Sequence, residues 1–316
     1  MEKKSFVKVF SKHRETGLAL ILVVLCALLS VTTKSFLTVD NFFNILKQAT
    51  LVAIIAIGQT YVIIAGGIDL SVGYSMTLCS MILAYSLKAD MPVTISIILG
   101  IGCSILVGLV NGILITTLNI PPFIITLGMS NIVKGIILVM SEGYICSLSE
   151  PVIINIGQGT VGPVPIMVII LIILIILFSF ILSQTVFGNH VKAVGGNEQA
   201  AELSGIKKNK IRIYVYLLCG LLCGIAGIII TGRLNGGNPN AAGTYDMDSI
   251  AAVVVGGTAM TGGSGSIIGT MLGSLLMILI RNGLVLLRVN MYWQTVAVGA
   301  VIIVVCAIDA MSRRKK

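Results

Sequence analysis

The sequence predicts an all-α, polytopic membrane protein of about ten transmembrane helices in two pseudo-related halves. Three observations lead there. The chain of 316 residues is 56% hydrophobic, only 10% charged, and has a mean hydropathy of +1.05; soluble domains carry about 25% charged residues. Its apolar residues are gathered into runs near the ~20 residues that a spanning helix needs, which leaves no room for a soluble domain of ordinary size. The basic residues are placed asymmetrically. Lys3, Lys4, Lys8, Lys12 and Arg14 precede the first run, Lys192, Lys207, Lys208, Lys210 and Arg212 share one central segment, and Arg313, Arg314, Lys315 and Lys316 close the chain. Positive loops stay inside, so both termini and the central segment are expected on the cytoplasmic face. The net charge of +9 is then a topology signal against a lipid surface, with no nucleic-acid partner implied.

Taken in order, the first run, Leu18 to about Thr33, lacks a small-residue cleavage site and reads as a retained helix. An outer segment over 34–47 leads to a second span, about Ala49 to Ala65. The turn GGIDLSVG, Gly66 to Gly73, separates it from a third span ending near Leu87. The fourth span fills Pro92 to about Leu118. Asn119, Pro121 and Pro122 break it, because proline removes a donor and disfavours helix in the residue before it. The fifth runs from about Phe123 to Met140, and 142–165 is a Gly- and Pro-rich outer loop. The sixth, about Ile166 to Leu182, is nearly all aliphatic.

After the polar segment 184–212 comes a seventh span, about Ile213 to Thr231, and then an outer stretch over 233–248 rich in turn residues. Spans eight and nine, about Ser249 to Met260 and Ile267 to Ile280, flank a second glycine turn. The tenth covers about Tyr292 to Ala310. Span eight is short for a crossing. GGIDLSVG and GGSGSIIG, Gly262 to Gly269, share a GG-x5-G spacing, a faint internal echo of the kind transporters built from two halves display. Residues 1–316 form one transmembrane domain, with 184–212 as its cytoplasmic loop.

Two stretches carry candidate function. In 184–212, Asn197 suits an N-cap, Glu198 suits the positive end of a helix dipole, and Gly205 suits a left-handed helix end. Ala200, Ala201, Leu203 and Ile206 leave a small apolar knob on this capped helix, as a docking element would. In the first glycine turn, Asp69 either caps the following helix or lines a path, since an unpaired carboxylate at mid-bilayer costs about 3 kcal/mol. Gly66, Gly67 and Gly73 permit a helix break or close passage of backbones. Lys134, near the middle of span five, is expected inside the bundle beside a carboxylate. No cofactor is implied. GGSGSIIGT lacks the lysine of a phosphate loop, the scattered cysteines show neither metal-ligand nor disulfide spacing, and nothing reads as an enzyme.

Three stretches carry a resemblance: AIGQTYVIIAGGIDLSVG (Ala56 to Gly73), VGGNEQAAELSGIKKNKIRIYVY (Val194 to Tyr216) and YDMDSIAAVVVGGTAMTGGSG (Tyr245 to Gly265). On them the chain resembles, over about Phe36 to Asp309, the permease subunits of bacterial ABC importers for monosaccharides of the ribose type. The resemblance implies a multi-pass protein of the bacterial inner membrane that pairs with a second permease copy, identical or paralogous. It also implies an ATPase subunit as a separate cytoplasmic chain and an extracytoplasmic sugar-binding protein. Asn197 to Ile206 would be the coupling helix, and Gly66, Gly67, Asp69, Ser71 and Gly73 would lie along the translocation path. The related branched-chain amino acid permeases share this architecture. An ion-coupled carrier would need more ionisable groups inside the membrane than Asp69 and Lys134.

Overall fold

The computed structural model describes residues 14–290, together with 292–294, 296–297, 299–300, 303 and 307. Most of the tenth expected span, and the basic residues before Arg14 and after 307, lie outside the described residues. What is described is helical throughout. Among the described residues, seven helices are long and apolar enough to cross a membrane: α1 (Arg14–Thr32), α2 (Val39–Ile64), α4 (Val93–Leu118), α5 (Pro122–Ser141), α7 (Ile166–Gln184), α10 (Lys208–Leu234) and α12 (Ile267–Leu286). α3 (Val72–Lys88) is shorter, and α6 (Pro151–Gln158), α8 (Val186–Gly196), α9 (Glu198–Leu203) and α11 (Tyr245–Val255) are shorter still. Two-residue strands β1 (Cys146–Ser147) and β4 (Gly236–Gly237) pair antiparallel, as do β2 (Thr160–Val161) and β3 (Val164–Pro165).

Local chemistry sets the ends. Thr38 caps α2 by accepting the amide of Asn41 at 3.3 Å, and Ser266 caps α12 by accepting that of Gly269 at 3.3 Å. Asn119 and Asn235 end α4 and α10 in the left-handed conformation, which asparagine adopts more readily than most side chains. α2 begins ten residues before the expected span, so most of the supposed outer segment is helix.

Burial sorts the helices into layers. In α2, 89% of the apolar window is buried, and α10 and α12 follow at 67% and 61%; α1, α4, α5 and α7 range from 22% to 33%. α2, α10 and α12 are therefore the inner helices, joined by the mostly buried α3, and α1, α4, α5 and α7 form a jacket. Helices in lipid gain little from hydrophobic contact, so close backbones and polar pins hold them. A Cβ at Gly108 of α4 would strike the carbonyl of Tyr216, and Ser104 Oγ donates to the Gly220 carbonyl at 2.8 Å. Thr60 and Thr270 share a hydroxyl bond at 2.7 Å, and the amides of Asn41 and Asn282 bond reciprocally at 3.2 and 2.8 Å.

One segment departs from the expected topology. Residues 236–244 follow α10 but do not stay at its outer end. A Cβ at Gly237 would lie 3.0 Å from Ala84 and Met81, whereas one at Gly73 would lie 3.4 Å from the Ala242 carbonyl. From Ala84 or Met81 to Gly73 is about 12–16 Å along α3, at 1.5 Å per residue. The segment thus descends beside α3, and α11 completes the descent. With 11 residues, or about 16 Å, α11 does not cross alone. Span eight is a non-helical descending segment followed by a half-helix.

Candidate functional site

The first glycine turn folds inward. Gly66 has φ +83° and stands exposed, whereas a Cβ at Gly67 would lie 2.6 Å from Tyr216 Oη. Asp69 is 3% exposed. Its Oδ1 accepts from the Ser71 amide at 2.8 Å and from Ser71 Oγ at 2.6 Å, and Asn111 Nδ2 donates to Ser71 Oγ at 2.9 Å. Of the two roles left open for Asp69, these bonds are those of a cap on the entry to α3. The carbonyl of Ile68 accepts from Thr126 at 3.1 Å and from Tyr216 Oη at 3.4 Å. The turn is thereby tied to α4, α5 and α10. Asn111 and Tyr216 were not singled out in the sequence, although an asparagine inside the apolar run of α4 is a visible signal.

The second glycine turn meets the helix end that leads into the first. The Gly263 amide donates to the Ile64 carbonyl at 2.8 Å, closing the C-terminal end of α2. Gly195, at the end of α8, is wedged there too: its Cβ would overlap the Ile64 carbonyl oxygen and lie 2.8 Å from the Gly263 amide. Only a glycine lets three backbones converge this closely. The central polar segment therefore touches the second turn and the end of α2 that leads into the first.

That segment is built as the sequence foretold at its caps. Asn197 Oδ1 accepts the Ala200 amide at 3.0 Å, Glu198 stands in the first turn of α9, and Gly205 follows it at φ +83°. Glu198 also closes a clamp: Lys208 Nζ approaches at 3.0 Å and Arg212 Nη2 at 2.6 Å, and Lys208 reaches Glu202 at 3.0 Å as well. The Lys208 hydrogen bond, opposed by partial burial and reinforced by Arg212, holds the Glu198 carboxyl below the usual carboxylate range. The apolar knob divides. Leu203 is 90% exposed and Ala200 faces outward. Ala201 is buried in the chain's own core at 4%, and Ile206 packs half-buried against that core. Ala201 thus lies on the inner side of α9, because the face of a six-residue helix that turns inward is chosen by its neighbours.

Charged groups within the spans sit where the sequence did not place them. Among the described residues, Lys134 meets no carboxylate. It is exposed, with Nζ 5.8 Å from the ring centre of Tyr74. Asp248, 3% exposed, pairs with Arg281 at 3.0 Å across α11 and α12.

Comparison with known proteins gives these features a context. A model of the branched-chain amino acid transport system permease component matches residues 41–306. The ribose import permease protein of Haemophilus influenzae is 36% identical over 301 residues, covering 93% of each chain. That of Bacillus subtilis is 38% identical over 290 residues, covering 91% of this chain and 90% of the relative. The L-arabinose ABC transporter permease protein of Azospirillum brasilense is 34% identical over 301 residues, covering 95% and 89%. No solved structure matches the chain. Helices that span a membrane, a capped helix presented from a polar loop and these matches agree: the chain is an integral membrane transport component and belongs to the branched-chain amino acid transport system permease family.

Proposed function

We propose that this chain is the permease subunit of an ATP-driven importer and that a monosaccharide of the ribose type crosses it. The observation that carries this reading is identity of 34–38% over more than nine-tenths of the chain to permeases named for pentoses. The geometry supports it. α9 offers exposed Ala200 and Leu203 to a cytoplasmic ATPase subunit, while the Glu198 clamp fixes α9 to the start of α10. Asn197, Glu198, Ala201, Gly205 and Ile206 hold that docking surface in shape. The path runs past Gly66, Gly67, Asp69, Ser71 and Gly73, with Asp69 and Ser71 setting the turn from behind.

A second permease copy, identical or paralogous, completes the path. Lipid covers the apolar outer faces of α1, α4 and α7, and an extracytoplasmic sugar-binding protein delivers its cargo to the side bearing α6 and the β2–β3 hairpin. The termini and α8–α9 lie in the cytoplasm of a bacterial cell whose inner membrane holds the complex. A second reading, import of a branched-chain amino acid, is favoured by the wording of the family description. The pentose-named relatives weigh against it. Co-expression of the tagged chain with a candidate ATPase subunit tests the partnership. Co-purification that needs the exposed face of α9 supports the proposal, and sugar uptake by the chain alone refutes it.

A further inference from the structure

The descending segment and α11 carry a polar constellation that the path residues above do not include. Arg281 Nη2 donates to Asp248 Oδ1 at 3.0 Å and to Thr244 Oγ1 at 3.3 Å, and Thr244 Oγ1 donates to Asp248 Oδ2 at 2.8 Å. Both carboxylate oxygens are thereby engaged, and the Asp248 side chain is 5% exposed. The Arg281 side chain is 30% exposed, and among the described residues no protein acceptor meets its Nη1 or Nε. Thr244 stands exposed with Asn240 and Gly243.

Hydrocarbon is excluded as the neighbour of this surface. Residues 238–244 are non-helical backbone at membrane depth, and such backbone is tolerated only where it is covered by protein or lines water. Lys134 makes a second, independent argument for the adjoining face. Its ammonium is exposed over Tyr74, the residue after the Gly73 that touches Ala242. A lysine facing acyl chains near mid-span would cost about 3 kcal/mol. An aqueous path along this face satisfies both.

We infer that Thr244, Asp248 and Arg281 form a sugar-contacting site on the wall of the translocation path. The site rests on the importer reading above and extends it to named contacts. Its chemistry suits a neutral polyol. The ion pair cancels its own charge, so it does not hold an ionic solute, and it fixes a planar guanidinium that is 30% exposed and has N–H groups to spare. A guanidinium presents donors in a fixed fork, which matches two neighbouring hydroxyl oxygens. Thr244 Oγ1, its proton given to Asp248, adds a remaining acceptor lone pair, and Met247, 50% exposed, offers an apolar surface for the C–H face of the ring.

The test uses the full complex, permease with ATPase and binding protein, in proteoliposomes. Arg281→Lys keeps the charge and loses the fork. Uptake at saturating loaded binding protein should fall about tenfold while ATP hydrolysis persists, so more ATP is spent per sugar moved. The double swap Asp248→Arg with Arg281→Asp keeps an ion pair and reverses it. Recovery of assembly without recovery of uptake supports the site, and full uptake by the swap reduces the pair to a brace and overturns the inference. In a background without native cysteines, Thr244→Cys should react with a membrane-impermeant thiol reagent and be protected by D-ribose during turnover. An inert Thr244→Cys places that surface against lipid or a second copy and also overturns it. A wild-type complex that moves no sugar would sink the importer reading itself, a result distinct from normal uptake by Arg281→Lys.

Discussion

Replacing Asp69 separates its role as a cap from any role of its charge. In Asp69→Ala the Ser71 amide and hydroxyl lose their acceptor, and both are buried. Hydrogen bonds to a charged group contribute about 1.5–3 kcal/mol each, so two of them give about 3–6 kcal/mol. The relief of no longer burying a carboxylate offsets part of this, leaving a net loss of a few kcal/mol. Since a destabilisation of this size lowers Tm by a few degrees per kcal/mol or less in a chain this long, a fall on the order of 5–10 °C is expected. Asp69→Asn keeps Oδ1 as acceptor and drops the charge, so it should stay within about 1 kcal/mol of the parent and retain uptake. Thermal unfolding of the detergent-solubilised protein, followed by uptake in vesicles, reads both. An alanine variant as stable as the parent would refute the cap. A stable asparagine variant that transports nothing would show that the carboxylate charge itself is required.

Three further outcomes follow from the cytoplasmic segment. Leu203→Asp should fold normally, because surface changes usually stay within ±0.5 kcal/mol, yet lose ATPase co-purification; Ala201→Arg should instead lower stability, since overpacking costs about 1–3 kcal/mol before the charge is counted. Gly195→Val should abolish uptake by pushing apart α8, the end of α2 and the second glycine turn, whereas Gly196→Ala, whose Cβ meets its nearest neighbour at 3.7 Å, should be tolerated; equal uptake by the two variants would remove the junction from the account. The Glu198 clamp has a lowered carboxyl and a Lys208 ammonium raised by its Glu198 and Glu202 bonds. Its contribution is lost only as pH falls below the ordinary carboxylate value or rises beyond the ordinary lysine value, so ATPase association measured from about pH 6 to 9 should be flat.

Much of this was legible in the sequence because its causes are local. Asn197, Glu198 and Gly205 specify a helix start and stop within nine residues, and hydropathy alone marks most of the spans. The features that escaped depend on partners distant in the chain. Asp248 and Arg281 lie 33 residues apart, and nothing near either one announces the other. Residues 236–244 look like an outer loop because Gly, Asn and Pro serve a solvated turn and a non-helical descending segment equally well. Lys134 was expected beside a carboxylate on the cost of a buried charge; it escapes that cost by standing exposed next to Tyr74. Which side of α9 carries Ala201 was decided by packing against its neighbours, to which periodicity over six residues is blind.

The central claim is tested most directly by reconstitution. Proteoliposomes containing this permease and its ATPase, supplied outside with sugar-loaded binding protein and inside with ATP, should accumulate labelled D-ribose or a close pentose against its gradient. Uptake should cease when ATP or binding protein is omitted. Uptake that persists without the ATPase and follows an imposed sodium or proton gradient would contradict the account and make the chain an ion-coupled carrier.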